Sequence, residues 1–462
     1  MLNNLTIENP QERIAPFREG FLIHDGSETV TVNNTIIKFW GSLSEDKGQI
    51  EKHLSPNCNP SDDVVQTVDI THNYWTMPYN PTQDRFVTFY TEFDQDYYRR
   101  MIVNYSYNLH ENILDNIYGL NLAYCTQNTE IWMTNNQFYN VSCLQGAAYA
   151  VVSDKFIIEN DLYADSTDFG FDTYAIMDTN EVIIKNVTTR NVNATGSSSE
   201  YYFYLRMNNG GNVTVDGLYF ENSNVGQQRG LFVQGNMNTF IMTNLNFLNV
   251  LVGTGNTLIN TGAFNKLEIY NTTFTNVQNE TPNDENNIMI TVNKINLGNA
   301  QNCIIKNATI ENSEIGFLLF SSITGTASQT VTFSIEDINY QNCYFVNQKN
   351  LIEFKQMESQ QDISFVFDNN MFNNVTFVKR GNLFLLQHQI LNPVVLQNSK
   401  FTEVTSGTIY LESANKQSSN FSTRVMISNV TFASIDTNFV SLISVNEGSI
   451  IEIEDSTFSG VT

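Results

Sequence analysis

Several features that would assign the chain to a common functional class are missing or scarce. Its 462 residues include 23 lysines and arginines against 48 aspartates and glutamates, a formal net charge of −25. Nucleic acids and anionic membrane surfaces bind basic patches, so we expect neither as a partner. No apolar run approaches the roughly 18 residues that a membrane-spanning helix needs, so we also expect no membrane span.

Metal-binding and cofactor motifs are equally scarce. The five cysteines and five histidines form no cluster with the spacing of a zinc site. The segment NDENN, residues 283–287, offers the oxygen ligands that calcium prefers, although a solvated polar loop has the same composition. Calcium therefore stays an open alternative without further support, and the sequence predicts no catalytic, cofactor-binding or metal-binding residue.

The sequence is rich in asparagine, with 64 residues in all, and many of them recur in a repeated segment. The stretches FIMTNLNFLNV (240–250) and LEIYNTTFTNV (267–277) carry an apolar pair, an Asn, a Phe and Asn-Val in the same places. Twelve copies occur, spaced 25 to 36 residues apart. The position of the first Asn is occupied by Asn135, Asn160, Asn186, Gly217, Asn244, Asn271, Asn307, Asp337, Asn369, Asn398, Asn429 and Asp455.

Around this first Asn the template is regular. The residues two and four places earlier are apolar in every copy, as in Met133 and Ile131. An aromatic residue follows three places later, except at Thr189 and Ile310, and a second Asn follows five places later in eight copies. The conserved spacing thus defines two Asn positions, one aromatic position and several apolar positions in each copy.

This spacing predicts a parallel β-solenoid. Apolar residues alternate with period two before the first Asn, which is typical of a strand with one buried face. At each Asn the spacing between apolar residues changes from two to three. Because Asn tolerates left-handed backbone angles, we expect a bend there and a new strand after it whose apolar residues again face inward. A third apolar run follows, as in GLFVQG (230–235) and GFLLFSS (316–322). Three strands and a return to the starting position make one coil, which needs neighbours to bury its apolar side.

On these residues the chain resembles the right-handed parallel β-helix of the pectin-lyase-like superfamily over residues 101–462. The Phe-x-Asn repeat is similar to that of secreted or surface β-helix proteins such as polymorphic outer-membrane adhesins, although their Gly-Gly-Ala motif is missing. The resemblance implies an all-β fold of three-strand coils in about twelve repeats, with Phe above Phe in the core and Asn above Asn at the bends. We expect the bend asparagines to turn inward.

Residues 1–100 differ from the template. Six of the eight prolines lie before residue 82, and ETVTVNNTIIKFW, residues 28–40, is a candidate early coil. The stretch FYTEFDQDYYRRM, residues 89–101, is either a capping helix or another strand. Solenoid ends need covering, so we interpret this region as an N-terminal cap or adapter.

The cysteines do not define a disulfide framework. Cys303 and Cys343 fall at inward positions of the template and are expected to be buried small residues. Cys125 and Cys143 flank one predicted strand and are a candidate disulfide. Cys58 is left over, which in a secreted protein leaves a free or intermolecular thiol.

Thirteen Asn-x-Ser/Thr sequons favour secretion through a glycosylating pathway, although an Asn- and Thr-rich chain also produces sequons by chance. Four lie off the bends and are the preferred glycosylation sites: Asn193, Asn212, Asn279 and Asn420. Three further candidates are Asn4, Asn33 and Asn104. The start MLNNLTIENP has neither the basic residues nor the apolar core of a signal peptide, so we expect a removed leader or a fragment.

Two functions of different classes remain. The hydrolases of the superfamily are marked by Asn-Thr-Asp, Asp-Asp, Gly-His-Gly and Arg-Ile-Lys segments, and this chain has only Asp62-Asp63, outside the repeats. The main hypothesis is therefore a non-enzymatic, extracellular or cell-surface structural glycoprotein, a rod-like subunit of a head-to-tail filament or of a surface coat. We expect its partner to be a second copy, bound through the uncapped C-terminal coil and the N-terminal region. The alternative is a carbohydrate-binding or carbohydrate-active, pectate-lyase-like β-helix or adhesin with polysaccharide as its partner.

Overall fold

The fold was analysed in a computed structural model. It describes residues 2–8, 22–25, 29–38, 50–53, 65–76, 86–92, 100–113, 117–122, 128–141, 148–168, 173–194, 201–225, 229–253, 257–280, 287–296, 303–324, 331–346, 350–355, 363–387, 393–412, 424–437, 441–445 and 450–462. The chain divides into two compact units, Met1–Gly235 and Asn236–Thr462, and the division falls within one strand.

The secondary structure of the first unit consists of strands. They are β1 Leu2–Asn3, β2 Thr6–Glu8, β3 Leu22–Asp25, β4 Thr29–Asn33, β5 Ile36–Lys38, β6 Ile50–His53, β7 Gln66–Thr71, β8 Tyr74–Thr76, β9 Phe86–Glu92, β10 Met101–Ser106, β11 Leu109–Ile113, β12 Ile117–Leu122, β13 Thr129–Thr134, β14 Gln137–Val141, β15 Ala148–Glu159, β16 Leu162–Ala164, β17 Thr167–Asp168, β18 Tyr174–Arg190, β19 Asn193–Ala194 and β20 Tyr201–Asn224.

The strand that crosses the division is β21, Arg229–Val252. The strands of the second unit are β22 Thr257–Asn279, β23 Ile288–Asn296, β24 Cys303–Glu311, β25 Gly316–Phe320, β26 Ile323–Thr324, β27 Val331–Phe345, β28 Asn350–Phe354, β29 Ile363–Asp368, β30 Met371–Gln387, β31 Val394–Gln397, β32 Lys400–Glu412, β33 Arg424–Ser428, β34 Thr431–Ile435, β35 Ile443–Val445, β36 Ile450–Glu454 and β37 Thr457–Val461. No helix occurs among the described residues.

Strand pairing follows the repeat. In the first unit β1, β4, β7, β10, β13, β15, β18 and β20 pair in succession, each parallel to the next. A second series runs through β2, β5, β8, β11, β14 and β16, and a third through β3, β6, β9, β12 and β15. The second unit pairs in the same way, for example β24, β27, β29, β31, β33 and β36.

The predicted fold class is therefore confirmed at the level of an all-β parallel β-solenoid of about nine turns. Strands of the first hundred residues take part in it: Thr29–Asn33 pairs with β7, and Ile36–Lys38 pairs with β8. The boundary between a cap at 1–100 and a solenoid at 101–462 stays a prediction.

The core is formed by the template's inward positions. In the second unit Phe247 stacks on Phe274 with ring centroids 5.1 Å apart. The series Tyr340, Phe372, Phe401, Phe432 and Phe458 continues in the same manner at 4.9 to 5.2 Å. The expected stacking of aromatic residues is thus confirmed, and the rings of successive coils pack face to face along the series.

We predict that Phe274→Ala lowers the free energy of unfolding by about 3–5 kcal/mol, because truncating a buried Phe leaves a cavity. Phe274 is fully buried, whereas its neighbour Thr273 is half-buried and points outward. Thr273→Ala should cost less than about 0.5 kcal/mol. Chemical denaturation of both variants measures the difference, and equal losses would refute the assignment of inward and outward positions.

Candidate functional site

Each coil turns at two bends with left-handed backbone geometry. All twelve first-Asn positions, which we call first bends, have φ between 49° and 85°. The twelve positions five residues later, the second bends, have φ between 48° and 62°. Asn adopts this conformation more readily than most residues. The bends predicted from the slip in alternation are confirmed.

Bend side chains form hydrogen-bonded rows from coil to coil, which we call the outer ladders. At the first bend, Asn160 Nδ2 donates to Asn135 Oδ1 at 3.2 Å, and Asn186 donates to Asn160 at 3.2 Å. At the second bend, Asn374 Nδ2 donates to Asn342 Oδ1 at 2.9 Å. Each amide both donates and accepts, so the row can extend over any number of coils.

The outer ladders are exposed, and the expectation that these asparagines turn inward is wrong. Asn160, Asn186, Asn271 and Asn307, for example, are all exposed. The reason is local geometry. A left-handed residue directs its own side chain out of the coil, and the following residue then points into the core.

In the first unit, the residues that directly follow the first bends form a second row of hydrogen-bonded side chains. This row is buried, and we call it the inner ladder. Asn73 Nδ2 donates to Asn108 Oδ1 at 3.0 Å, Asn108 to Asn136 at 3.2 Å, and Asn136 to Asp161 Oδ1 at 3.1 Å. All four side chains are at most 2% exposed. Sequence reasoning missed this row because it counted Asn only at the bends; the doubled Asn135-Asn136 was the available signal.

Positions predicted for glycosylation differ in exposure. Asn193 and Asn4 are exposed; Asn212, Asn279, Asn33 and Asn104 are half-buried. Asn279 Oδ1 accepts a hydrogen bond from Asn287 Nδ2 at 2.9 Å. Asn420 lies outside the described residues. Which of these sites carries sugar stays a prediction.

The two core cysteines behave as expected, since Cys303 and Cys343 are both free and buried. Burial raises the pKa of the Cys303 thiol to about 12 and that of Cys343 to about 11, so neither is a reactive thiolate at neutral pH. The candidate disulfide partners Cys125 and Cys143 lie outside the described residues.

One histidine takes an aromatic core position. The His110 ring lies between Trp75 and Phe138, at 6.0 and 4.6 Å, and Tyr105 Oη lies 2.7 Å from its Nε2. Burial lowers the pKa of His110 to about 3, so the ring is neutral and acts as a packing residue. In the part of the chain that the structure describes, no group of His, Cys, Asp and Glu could hold a metal ion. Residues 283–286 of the calcium hypothesis are outside that part.

An outward-facing aromatic cluster lies on the first unit. Phe232 stacks on Tyr201 at 4.5 Å and on Tyr204 at 5.6 Å, and Tyr204 Oη donates to Gln234 Oε1 at 3.0 Å. Beside it Arg206 forms a two-point contact with the Asp178 carboxylate. The sequence analysis did not identify this aromatic surface, because its residues come from two coils; the string YYFYLR, residues 201–206, was the local signal.

The second candidate surface is the last coil of the second unit. Ile453 is 48% exposed and Phe458 46% exposed, although they occupy the positions where Ile427 and Phe432 of the preceding coil are buried. Side chains at core positions of the repeat therefore form an apolar surface on the last described coil.

Comparisons with protein-family models, curated proteins and solved structures found no match to this chain. Within the described residues no helix is long and apolar enough to cross a membrane.

We predict that sequons on the outer ladders carry no glycan, whereas Asn193, Asn212, Asn279 and Asn420 do. The ladder set is Asn140, Asn186, Asn271, Asn307, Asn374 and Asn429, and each donates its Nδ2 to the neighbouring coil's Oδ1 at 2.8 to 3.3 Å. Sugar is attached to the same Nδ2, and the strand spacing of about 4.8 Å leaves little room beside it. Site-by-site glycopeptide mass spectrometry tests this, and occupied ladder sites would contradict it.

Proposed function

We propose that this chain is a structural glycoprotein of the extracellular space or cell surface, a rod-like subunit that assembles head to tail. In this proposal the coils are right-handed with three strands each, as the resemblance to the pectin-lyase-like superfamily implies. The observation that carries the proposal is the exposed core of the last coil, with Ile453 and Phe458 at its centre. Burying such a surface against another coil is favourable at about 25 cal/mol per Å².

Backbone groups at the same end support coil addition. The first-bend N–H of each coil donates to the next coil, as from Asn398 to Ser428 at 3.1 Å and from Asn429 to Glu454 at 3.2 Å. In the other direction, Thr457 N donates to the Val430 carbonyl at 2.9 Å. By the same rule the Asp455 N–H and the Ser456 carbonyl are directed toward the position of a following coil.

The first coil of a second copy has the matching groups. Asn4 N donates to the Asn33 carbonyl at 3.2 Å, and Ile36 N donates to the Leu5 carbonyl at 2.8 Å, so this coil obeys the same rule as the last one. Asp455 N–H of one copy would then donate to the Asn3 carbonyl of the next, whose Thr6 N–H would donate to the Ser456 carbonyl. Pairing of strand edges between copies is an established mode of association, and a contact of unlike ends extends into filaments unless it closes a ring.

We predict that the wild-type protein self-associates with increasing concentration and that Ile453→Lys weakens this association at least about tenfold, because the contact would bury an unpaired charge. Sedimentation velocity measures the association, and electron microscopy shows whether the assemblies are filaments. Val378→Lys is the matched control, since Val378 is 53% exposed on the outer face away from the last coil.

Both variants should keep the wild-type thermal midpoint, because both side chains are already about half exposed. The proposal fails if the wild-type protein stays monomeric at all concentrations, or if Val378→Lys weakens association as much as Ile453→Lys.

A second candidate function, carbohydrate binding, is favoured by the aromatic cluster of Tyr201, Tyr204 and Phe232. Aromatic rings pack against the apolar faces of sugars, and the adjacent Gln234 amide and Arg206–Asp178 pair are fixed polar groups that can bind hydroxyls. The net charge of −25 disfavours acidic glycans, so a neutral polysaccharide is the ligand to expect.

For this candidate we predict binding of a neutral polysaccharide on a glycan array and about tenfold weaker binding of Phe232→Ala, or ~1.4 kcal/mol, which is within the range of one aromatic contact. Tyr344→Ala is the control, because Tyr344 is 51% exposed in the other unit. If no glycan binds the wild-type protein, or if the control loses as much affinity, carbohydrate binding at this cluster is wrong.

A further inference from the structure

The position after the first bend is buried, and the asparagines and serines found there share one hydrogen-bonding pattern. The side chain accepts a backbone N–H from the preceding coil and donates a hydrogen to a carbonyl. Asn370 Oδ1 accepts from Ile338 N at 2.9 Å and its Nδ2 donates to the Ile335 carbonyl at 3.1 Å. Ser399 Oγ accepts from Asn370 N at 3.1 Å and donates to the Gln397 carbonyl at 2.7 Å. Buried polar groups need such partners, so an asparagine or serine here is satisfied because its side chain donates as well as accepts.

For asparagine the accepting carbonyl always has the same place. This carbonyl belongs to the preceding coil. It lies three residues before the residue that follows the first bend of that coil. Asn108 Nδ2 donates to the Ile70 carbonyl at 2.9 Å, and Asn136 Nδ2 donates to the Tyr105 carbonyl at 2.9 Å. Applied to the next coil, the rule identifies the carbonyl of Met133 as the group that faces the side chain of residue 161.

Residue 161 is an aspartate, and its first oxygen obeys the rule. Asp161 Oδ1 accepts Asn136 N at 2.7 Å and Asn136 Nδ2 at 3.1 Å. Its Oδ2 therefore takes the place that Nδ2 occupies in the asparagines. An ionised carboxylate has no hydrogen to donate and would set a negative oxygen against the Met133 carbonyl; the neutral acid can donate.

We propose that Asp161 is a neutral carboxylic acid in the folded protein, that its proton on Oδ2 is donated to the Met133 carbonyl, and that loss of this proton weakens the contact between these coils. Tyr174 faces the carboxyl from β18 and donates its hydroxyl to Oδ2 at 3.3 Å. Val187, in the next coil, is apolar and buried. The nearest charged residues in the chain and in the next coil, Glu159 and Lys185, are half-buried at outward positions.

The electrostatics of the site agree with this assignment. Burial raises the pKa of Asp161 from 3.8 to about 7, and the hydrogen bonds from Asn136 and Tyr174 only partly oppose it. The folded protein thus keeps a proton that the unfolded chain loses near pH 4, so stability falls as pH rises from about 4 through 7. His110 acts in the opposite direction: its lowered pKa makes stability fall as pH drops from 6.5 toward 3.

The test is Asp161→Asn, which restores the side chain found in the three preceding coils. Between pH 4 and 7 the folding equilibrium constant of the wild-type protein should fall about tenfold per pH unit relative to the variant, since one proton is involved. The variant should be the more stable protein at pH 8. Asp165→Asn, which removes an exposed carboxylate from the same coil, is the control and should follow the wild-type pH profile.

Infrared spectroscopy of the wild-type protein provides a readout that does not depend on how the variant folds. At pH 6 the spectrum should contain the carbonyl band of a protonated carboxylic acid, which Asp165→Asn retains and Asp161→Asn lacks. Absence of that band from the wild-type spectrum overturns the proposal, as does an Asp161→Asn pH profile identical to that of the wild type.

Discussion

The left-handed bend is the constraint on which the rest of this structure depends. At each bend one residue with positive φ reverses the direction in which successive side chains point, so the strand before it and the strand after it both present apolar residues to the same interior. Without that reversal, period-two alternation would carry half of the apolar residues to the surface. Asparagine recurs because few other residues adopt this backbone conformation at low cost.

Two kinds of side-chain row follow from this single reversal. The bend residue itself points outward and bonds to its counterpart in the next coil, as Asn429 does to Asn398. The next residue points inward, where every polar group must find partners among neighbouring coils. The exposed row therefore also accommodates the stacked pair His72 and Tyr107, whereas a polar side chain in the buried row depends on hydrogen bonds to neighbouring coils.

The same regularity explains why candidate functions concentrate where it is interrupted. Within a unit, the backbone groups and core side chains of each coil are partnered by those of the coil before it. Candidate interaction surfaces are therefore places where core side chains are exposed, or where outward-facing positions carry apolar or aromatic residues instead of polar ones. Phe458 of the last described coil is exposed, and the head-to-tail proposal places a second copy there. The cluster around Phe232 is an outward-facing surface with aromatic residues in place of polar ones.

The sequence by itself determined the repeat, the bends, the aromatic stack and the solenoid class, because these depend on local φ preferences and on alternation that recurs from Asn135 to Asp455. It also identified Cys303 and Cys343 as core residues. It did not determine which way the bend side chains face, nor the inner ladder, because residues such as Asn73 and Asn108 are 35 positions apart and meet only when coils stack. The Phe232 cluster and the environment of Asp161 were likewise decided by tertiary structure, since burial and coil-to-coil hydrogen bonding do not exist in an isolated segment.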